Sequence, residues 1–346
     1  MTPPGPAAGG GPAPWPPAPP GTRWLLRLPN WIGDAILVLP ALRALPRRGQ
    51  RWVGAAHPRV APLYRATGWF ESVLAARGAS APVGLRGVLR AYGPDRAVVF
   101  PEAVSGPLVA RMSGASLRLG WALPAGRALL TDAVAPIDRA EPLWRAYGRL
   151  ARAAGGRIPE PPDFTLDPGP EAAAFAERAL PGAGSRRVAL APGASYGPAK
   201  RWPEDAFLEV ARTLLARGCE VVVVGGGEDR EAAAGLRGAG AIDLTGATSA
   251  PEAIAVFARC RAAVTNDSGA LHLARAAGTP VVAVFGSSSP AWTGPTPAEG
   301  EALWLDLDCS PCFARRCPLE GEAHLACLRG IRPGRVLEAL GRAGVR

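Results

Sequence analysis

The chain has 346 residues, more than one hydrophobic core usually organises, so we expect two domains. Hydrophobic residues make up 48% and charged residues 20%, which is typical of a globular protein. We expect no transmembrane helix, because the most apolar run, residues 35–45, is interrupted by Pro40 and Arg43.

The net charge of +10 is confined to one part of the chain. Residues 23–167 hold 20 Arg against 10 acidic residues, whereas residues 168–346 hold 19 basic and 19 acidic residues. A basic surface in the first half would attract nucleic acid, an anionic membrane face or a phosphorylated glycolipid. An Arg-rich genome would produce the same excess without a binding role.

Residues 1–22 are nearly all Pro, Gly and Ala and carry no charged side chain. They lack the basic start and continuous apolar core of a signal peptide, so they predict a disordered extension and a cytoplasmic protein.

Strand-like and helix-like segments then alternate. In the first half we predict strands at residues 24–28, 51–55, 97–100 and 129–131, a turn at residues 30–34 and a helix at residues 35–45. Five prolines within residues 159–170 open a segment that ends near Gly184, and this segment is predicted to connect the two domains.

The second half gives a cleaner alternation. We predict strands at residues 188–191, 220–224, 262–265 and 281–285, and helices at residues 203–217, 251–260 and 269–277. Such alternation is typical of parallel sheets covered by helices, so the fold class is α/β with two open, doubly wound halves. The domains are predicted as residues 23–167 and 168–346.

Three glycine-bearing turns follow strands of the second half, where open α/β sheets bind their ligands. Residues 191–203 carry Gly193, Gly197 and Lys200, the only lysine in the chain. A compact ammonium, unlike a guanidinium fork, fits a tight phosphate site. Glu228 follows the second turn and could accept hydrogen bonds from a ribose or a base. The third turn, residues 265–272, opens a helix whose free N–H groups suit a phosphate.

Each of these features has a plainer explanation. Lys200 could be a surviving surface residue, Asp267 an ordinary helix N-cap and His272 a satisfied histidine on a helix face. Taken together, the three turns favour a diphosphate-containing ligand. No G-x-x-x-x-G-K-[ST] segment is present, which disfavours phosphate-driven motor or kinase chemistry.

Asp34 follows the first predicted strand and its glycine turn. As a carboxylate near a nucleotide-sugar site, it could act as a general base on an acceptor hydroxyl. The alternative is that Asp34 is a helix N-cap.

The six cysteines form two groups. Cys219 and Cys260 lie beside apolar strands and are expected in the core. Four more have the spacing C-x₂-C-x₄-C-x₉-C in a loop at residues 309–327: Cys309, Cys312, Cys317 and Cys327. This cluster suggests a structural zinc in a reducing compartment, although it lacks a second C-x-x-C pair.

With these residues in hand, the chain resembles the bacterial lipopolysaccharide heptosyltransferases of glycosyltransferase family nine. The resemblance rests on residues 28–35 (LPNWIGDA), 192–203 (PGASYGPAKRWP), 264–269 (VTNDSG) with His272, and 284–290 (VFGSSSP). The cysteine segment is similar to the tail of the type-II enzymes.

The resemblance implies a GT-B architecture, in which two Rossmann-like domains face each other across a cleft. It implies that the first domain binds the acceptor and the second binds the donor. The implied reaction transfers L-glycero-D-manno-heptose from ADP-heptose to the heptose/Kdo inner core of lipopolysaccharide, with inversion and without a required metal or other cofactor.

The resemblance also assigns residues. Asp34 is the implied base, and Lys200 contacts the donor diphosphate and takes part in catalysis. The other implied donor-binding residues are Ser195, Tyr196, Glu228, Thr248, Asp267, Ser268, Gly269 and His272. The implied partners are the nucleotide sugar, the lipopolysaccharide core and, peripherally, the anionic inner-membrane surface.

Two alternatives remain at this point. A family-nine relative could use another nucleotide sugar or another glycan acceptor with the same phosphate turns. A nucleotide- or RNA-binding protein could instead use the Arg-rich first half, but that half contains no recognisable nucleic-acid module, so no nucleic-acid partner is expected.

Overall fold

The computed structural model describes residues 12–77, 81–182, 184 and 186–345. Its residues group into two compact units. Of the described residues, unit 1 comprises those within 1–30, 38–138 and 143–163, and unit 2 comprises those within 31–37, 139–142 and 164–346. Residues 31–37, 139–142 and 164–167, which the domain prediction assigned to the first half, therefore group with unit 2.

Unit 1 contains a six-stranded sheet in the order β3-β2-β1-β4-β5-β6, in which every neighbouring pair is parallel. Its strands are β1 (Arg23–Arg27), β2 (Arg51–Ala56), β3 (Ser72–Ala75), β4 (Arg96–Val99), β5 (Leu117–Trp121) and β6 (Asp132–Val134). Its helices are α2 (Leu39–Ala44), α3 (Ala61–Ala66), α4 (Ala81–Tyr92), α5 (Ser105–Ser113) and α6 (Leu143–Ala153). Helix α1 (Ile32–Leu37) precedes them in the chain but groups with unit 2.

Unit 2 repeats this topology, with a second six-stranded parallel sheet in the order β12-β11-β10-β7-β8-β9. Its strands are β7 (Arg187–Ala191), β8 (Glu220–Val223), β9 (Ile242–Asp243), β10 (Ala262–Asn266), β11 (Val281–Val284) and β12 (Gly300–Leu303). Its further helices are α7 (Pro170–Ala179), α8 (Glu204–Ala216), α9 (Ala234–Gly238), α10 (Ala250–Ala258), α11 (Gly269–Ala276), α12 (Pro290–Thr293), α13 (Ala326–Arg329) and α14 (Pro333–Arg342). Both sheets have the Rossmann order, so the predicted α/β class with two doubly wound halves is confirmed.

The central strands of unit 2 are buried on both faces, which explains their continuous apolar sequences. All residues of β10 and β11 are buried, and so are the three valines of β8. Helix α8 covers them with Phe207, whose ring packs edge-on against Trp202 at 5.0 Å between centroids. Cys219 and Cys260 are buried as predicted.

The predicted helix at residues 35–45 is two helices. Pro40 lies in the first turn of α2, where its missing N–H costs nothing, so the chain ends α1 at Leu37 and begins a new helix at Leu39. The predicted strand at residues 129–131 is wrong. Arg127–Leu129 form a 3₁₀ turn, and strand β6 begins only at Asp132.

The prediction that residues 1–22 are disordered is wrong for residues 12–22, whereas residues 1–11 lie outside the described residues. The Trp15 side chain is buried 6.0 Å from the Trp24 ring, its Nε1 donates to Asp132, and the Arg96 guanidinium lies over it. Its backbone N–H donates to the Ala153 carbonyl at 2.8 Å. A single large aromatic side chain therefore anchors a segment whose average composition predicts disorder.

Candidate functional site

The predicted donor residues follow the carboxyl ends of strands β7, β8, β9 and β10 in unit 2. Asn266 is the last residue of β10, and its fully buried amide forms hydrogen bonds with both ends of the loop at residues 191–203. It donates from Nδ2 to the Pro192 carbonyl at 2.7 Å and accepts the Trp202 N–H at 2.9 Å. The loop that carries Lys200 is thereby fixed against the end of β10.

Lys200 forms a buried ion pair with Asp267. Its Nζ lies 2.5 Å from Asp267 Oδ2, and the two side chains are only 12% and 4% exposed. The ammonium also lies over the ring of Tyr196, 5.1 Å from its centroid. A compact cation with defined neighbours on two sides excludes the alternative that Lys200 is a chance surface residue.

Asp267 is held by hydroxyl groups as well as by the ammonium. Ser288 donates to Oδ2, and Thr293 donates to Oδ1 at 3.1 Å. Burial alone would raise the pKa of Asp267, but the Lys200 charge and the hydrogen bonds from Lys200 and Ser288 hold it below its usual value. Asp267 is therefore a carboxylate that orients Lys200.

Asp267 is not the N-cap of α11. Ser268 occupies that position, with an extended backbone and no side-chain hydrogen bond to the helix. The first N–H groups of α11 therefore lie beside the Lys200–Asp267 pair without a side-chain cap. A helix end of this kind, next to an ammonium, is suited to an anion.

His272 is buried one turn into α11. Its Nδ1 lies 3.4 Å from a guanidinium nitrogen of Arg275, which in turn pairs with Glu299. Burial, followed by the positive charge of Arg275, lowers the pKa of His272 to about 3. The imidazole is thus neutral at physiological pH and accepts a hydrogen bond at Nδ1.

Helix α1, which carries Asp34, packs closely against α11. A Cβ at Gly33 would lie 2.7 Å from His272 Cδ2, and a Cβ at Gly269 would lie 3.0 Å from the Cβ of Ile32. A side chain at Gly33 would force the two helices apart, and one at Gly269 would fit only if Ile32 moved by a few tenths of an ångström. The structure therefore brings the predicted base-bearing segment and the predicted donor turn together.

Asp34 itself is half-buried and is the third residue of α1, in the first turn of the helix. The helix begins at Ile32, so the alternative that Asp34 is the N-cap is wrong.

Ser195 and Glu228 form a second small cluster. The Ser195 hydroxyl donates to Glu228 Oε1 at 3.3 Å. Next to Glu228, the buried Asp229 packs so tightly under the first turn that a Cβ at Gly193 would lie 2.2 Å from its carboxylate. Burial is the largest influence on Asp229 and raises the pKa of its carboxyl group. Thr248 is half-buried in the loop before α10, and its implied role in donor binding stays a prediction.

The cysteine-rich loop braces Tyr196. The Tyr196 hydroxyl donates to the Phe313 carbonyl at 2.8 Å, and Arg315 Nε donates to the Tyr196 carbonyl at 2.8 Å. In the described part of the chain, no group of three or more His, Cys, Asp or Glu side chains is arranged to hold a metal ion. Burial and, secondarily, the other three thiols of the loop raise the pKa of Cys327. The structural zinc therefore has no geometric support and stays a prediction.

Sequence reasoning missed Asn266, Ser288, Thr293 and Arg275 as site residues. Ser288 and Thr293 hold Asp267, Arg275 contacts His272, and Asn266 holds the loop that carries Lys200. All four lie in or beside a segment that the resemblance already used. A residue type alone does not reveal such a supporting role, because its partner lies 3 to 74 positions away in the sequence.

Residues 84–323 match the profile of glycosyltransferase family 9 (heptosyltransferase). The chain belongs to this family. It is 30% identical to lipopolysaccharide heptosyltransferase 2 of Salmonella typhimurium over an alignment that covers 90% of this chain and 95% of that protein.

Two solved structures share its fold. The structure of ADP-heptose lipopolysaccharide heptosyltransferase II of Escherichia coli superposes with a TM-score of 0.77 at 28% identity, covering 93% of this chain and 98% of that chain. The family 9 glycosyl transferase of Veillonella parvula gives a TM-score of 0.81 at 20% identity, over 93% and 97% of the two chains. The predicted GT-B fold class is thereby confirmed. The chain is a glycosyltransferase.

Proposed function

We propose that this glycosyltransferase transfers L-glycero-D-manno-heptose from ADP-heptose to the heptose/Kdo inner core of lipopolysaccharide, with inversion at the anomeric carbon. Its similarity to heptosyltransferases of type II over nearly the whole chain supports this substrate pair. The observation that carries the proposal is the buried Lys200–Asp267 pair beside the uncapped start of α11.

The donor diphosphate binds at this pair. An ammonium has three N–H donors, and Asp267 takes one, so two remain for phosphate oxygens. The first N–H groups of α11, from Gly269 onward, supply further donors and the positive end of the helix dipole. Tyr196 and Ser195 line the phosphate side, while Glu228 and Thr248 contact the ribose and adenine.

Catalysis then depends on stabilising the leaving ADP. Negative charge grows on the diphosphate as the anomeric carbon becomes oxocarbenium-like, and Lys200 and the start of α11 are already oriented toward that charge. Asp34 removes the proton of the acceptor hydroxyl as the new bond forms, which contributes about 10²–10⁴-fold. No metal ion or cofactor takes part in the proposed mechanism.

The first domain binds the acceptor. Its excess of arginine suits a core oligosaccharide that bears Kdo carboxylates and phosphates. No helix in the described part of the chain is both long and apolar enough to cross a membrane. We place the enzyme in the cytoplasm, in peripheral contact with the anionic inner membrane where this acceptor is anchored.

The direct test incubates the purified protein with ADP-heptose and a panel of truncated core acceptors and reads the products by mass. The proposal expects one heptose added to an acceptor that ends in heptose or Kdo. Transfer from another nucleotide sugar, or only to another glycan, would replace it with the alternative family-nine activity.

A further inference from the structure

The outer face of helices α4 and α5 in unit 1 combines exposed apolar side chains with arginines. The apolar members are Val83 and Val88 on α4 and Val104 and Leu108 at the start of α5, exposed to 71%, 54%, 47% and 38%. The arginines are Arg86, Arg90 and Arg111, all exposed. We refer to these seven residues as the α4–α5 face.

The apolar side chains of α4 lie on either side of a strip of small residues. Gly84, Gly87 and Ala91 are all exposed, and the helix periodicity places them between Val83 and Val88. The opposite side of the helix carries Leu85 and Leu89, which are buried in the core of unit 1. Helix α4 therefore satisfies its core contacts and presents a second apolar strip outward.

The two helices form one continuous surface. They pack side by side, and Arg90 Nε donates to the Met112 carbonyl at the end of α5 at 3.3 Å. On α5, Val104 and Leu108 are four residues apart and therefore lie on the same side of the helix. Valine and leucine at four exposed positions of two adjacent helices are more than the scattered apolar residues of an ordinary surface.

The charges of this face all have one sign. Neither α4 nor α5 contains an acidic residue. The nearest acidic residues in sequence are engaged elsewhere: Asp95 accepts the Arg23 N–H at 2.8 Å, and Glu102 accepts the Ile137 N–H at 2.7 Å. Exposed apolar residues bordered by cations are complementary to an anionic lipid surface, which offers a hydrocarbon boundary beneath negative headgroups.

We propose that the α4–α5 face docks the enzyme onto an anionic lipid bilayer, with the valines and Leu108 entering the headgroup region and the three arginines pairing with lipid phosphates. This deepens the membrane contact of the proposed function by naming its surface. Since each basic residue near such a surface strengthens binding about fivefold, the three arginines together contribute on the order of a hundredfold.

The test measures binding of the full chain to vesicles by co-sedimentation, without donor or acceptor. Phosphatidylcholine vesicles are compared with vesicles that also contain phosphatidylglycerol. We expect binding to the anionic vesicles only, weakened by salt. The triple variant Arg86→Gln, Arg90→Gln, Arg111→Gln should bind on the order of a hundredfold more weakly, and Val83→Ser, Val88→Ser, Leu108→Ser should bind several-fold more weakly.

A matched control removes three exposed arginines of unit 2, on α7, α8 and α14: Arg178→Gln, Arg212→Gln, Arg335→Gln. This variant has the same net charge as the first triple variant and should keep wild-type binding. Equal losses in both triple variants, or no binding of the wild-type chain to anionic vesicles, would overturn the proposal. The proposal would also be overturned if the wild-type chain formed dimers without lipid and the serine variant stayed monomeric, because the face would then bind a second copy.

Circular dichroism checks that each variant is folded. Transfer of heptose to a lipid-free acceptor is measured separately and should be unchanged in all three variants. An enzyme that binds vesicles through this face but transfers no heptose would contradict the proposed function and leave the docking surface standing.

Discussion

Replacing Gly33 by alanine would place a methyl group against the imidazole of His272. The new Cβ would lie 2.7 Å from Cδ2 and 3.2 Å from Nε2, whereas carbon atoms in contact prefer about 3.5–4.0 Å. His272 has little freedom to move, because it is buried and lies beside Arg275. Helix α1 must therefore shift by about 1 Å, which overpacking studies associate with a loss of about 1–3 kcal/mol in stability.

The same shift would move Asp34, the next residue, away from the acceptor hydroxyl. A misplacement of about 1 Å can lower a rate about 10²-fold, so we expect kcat to fall by about that factor in the Gly33→Ala enzyme. Steady-state kinetics with ADP-heptose and a lipid-free acceptor measure this loss. The ADP affinity, titrated separately, should change much less, because Lys200 lies on another loop.

Gly341→Ala on α14 is the control, since its new methyl group has no heavy atom within 4 Å. It should leave kcat unchanged and, as an alanine in a helix, stabilise the protein by about 0.5–1 kcal/mol. A folded Gly33→Ala enzyme with wild-type kcat would refute the argument that close packing of α1 on α11 positions the base.

Three further predictions concern Asp34, His272 and Trp15. Asp34→Asn should keep its ADP affinity in a titration yet lose at least about 10²-fold in kcat; an unchanged kcat would mean that Asp34 is not the base. His272 has a pKa of about 3 in the folded state, so the wild-type protein should lose about 1.4 kcal/mol of stability per pH unit as the pH falls below about 6.5, because the unfolded chain takes up the proton first. Urea titrations at several pH values should show a shallower loss in His272→Gln but not in the exposed His324→Gln, and parallel curves for all three would contradict the assignment. Trp15→Ala should cost about 3 kcal/mol in the free energy of unfolding, whereas the exposed Trp31→Ala should cost far less; equal effects would mean that residues 12–22 do not anchor on unit 1.

The sequence predicts best those elements whose environment is uniform. Strands β8, β10 and β11 are buried on both faces, so each reads as a short apolar run that helices interrupt at regular intervals. The lone lysine and the glycine turns mark the donor side of unit 2 for a similar reason. Their chemistry differs from that of the surrounding Ala- and Arg-rich sequence.

The other elements and site residues could not be predicted, because they depend on tertiary contacts that a local sequence pattern does not show. Ser288 and Thr293 hold Asp267 from more than 20 positions away. Strand β9 spans only Ile242–Asp243 and has too few residues for a periodicity. Trp15 lies in a segment whose average composition predicts disorder, and only the tertiary contacts with Trp24 and Arg96 reveal its burial.

The central claim, that the Lys200 ammonium binds the donor diphosphate, is tested most directly by calorimetric titration with ADP and with adenosine. Because Lys200→Met alone would leave Asp267 as an unpaired buried charge, the double variant Lys200→Met, Asp267→Asn is titrated beside it. Hydrogen bonds to charged groups contribute about 1.5–3 kcal/mol, so both variants should bind ADP about 10–10²-fold more weakly than the wild-type enzyme and adenosine equally well. Wild-type affinity for ADP in both variants, or an equal loss for ADP and adenosine, would contradict the claim.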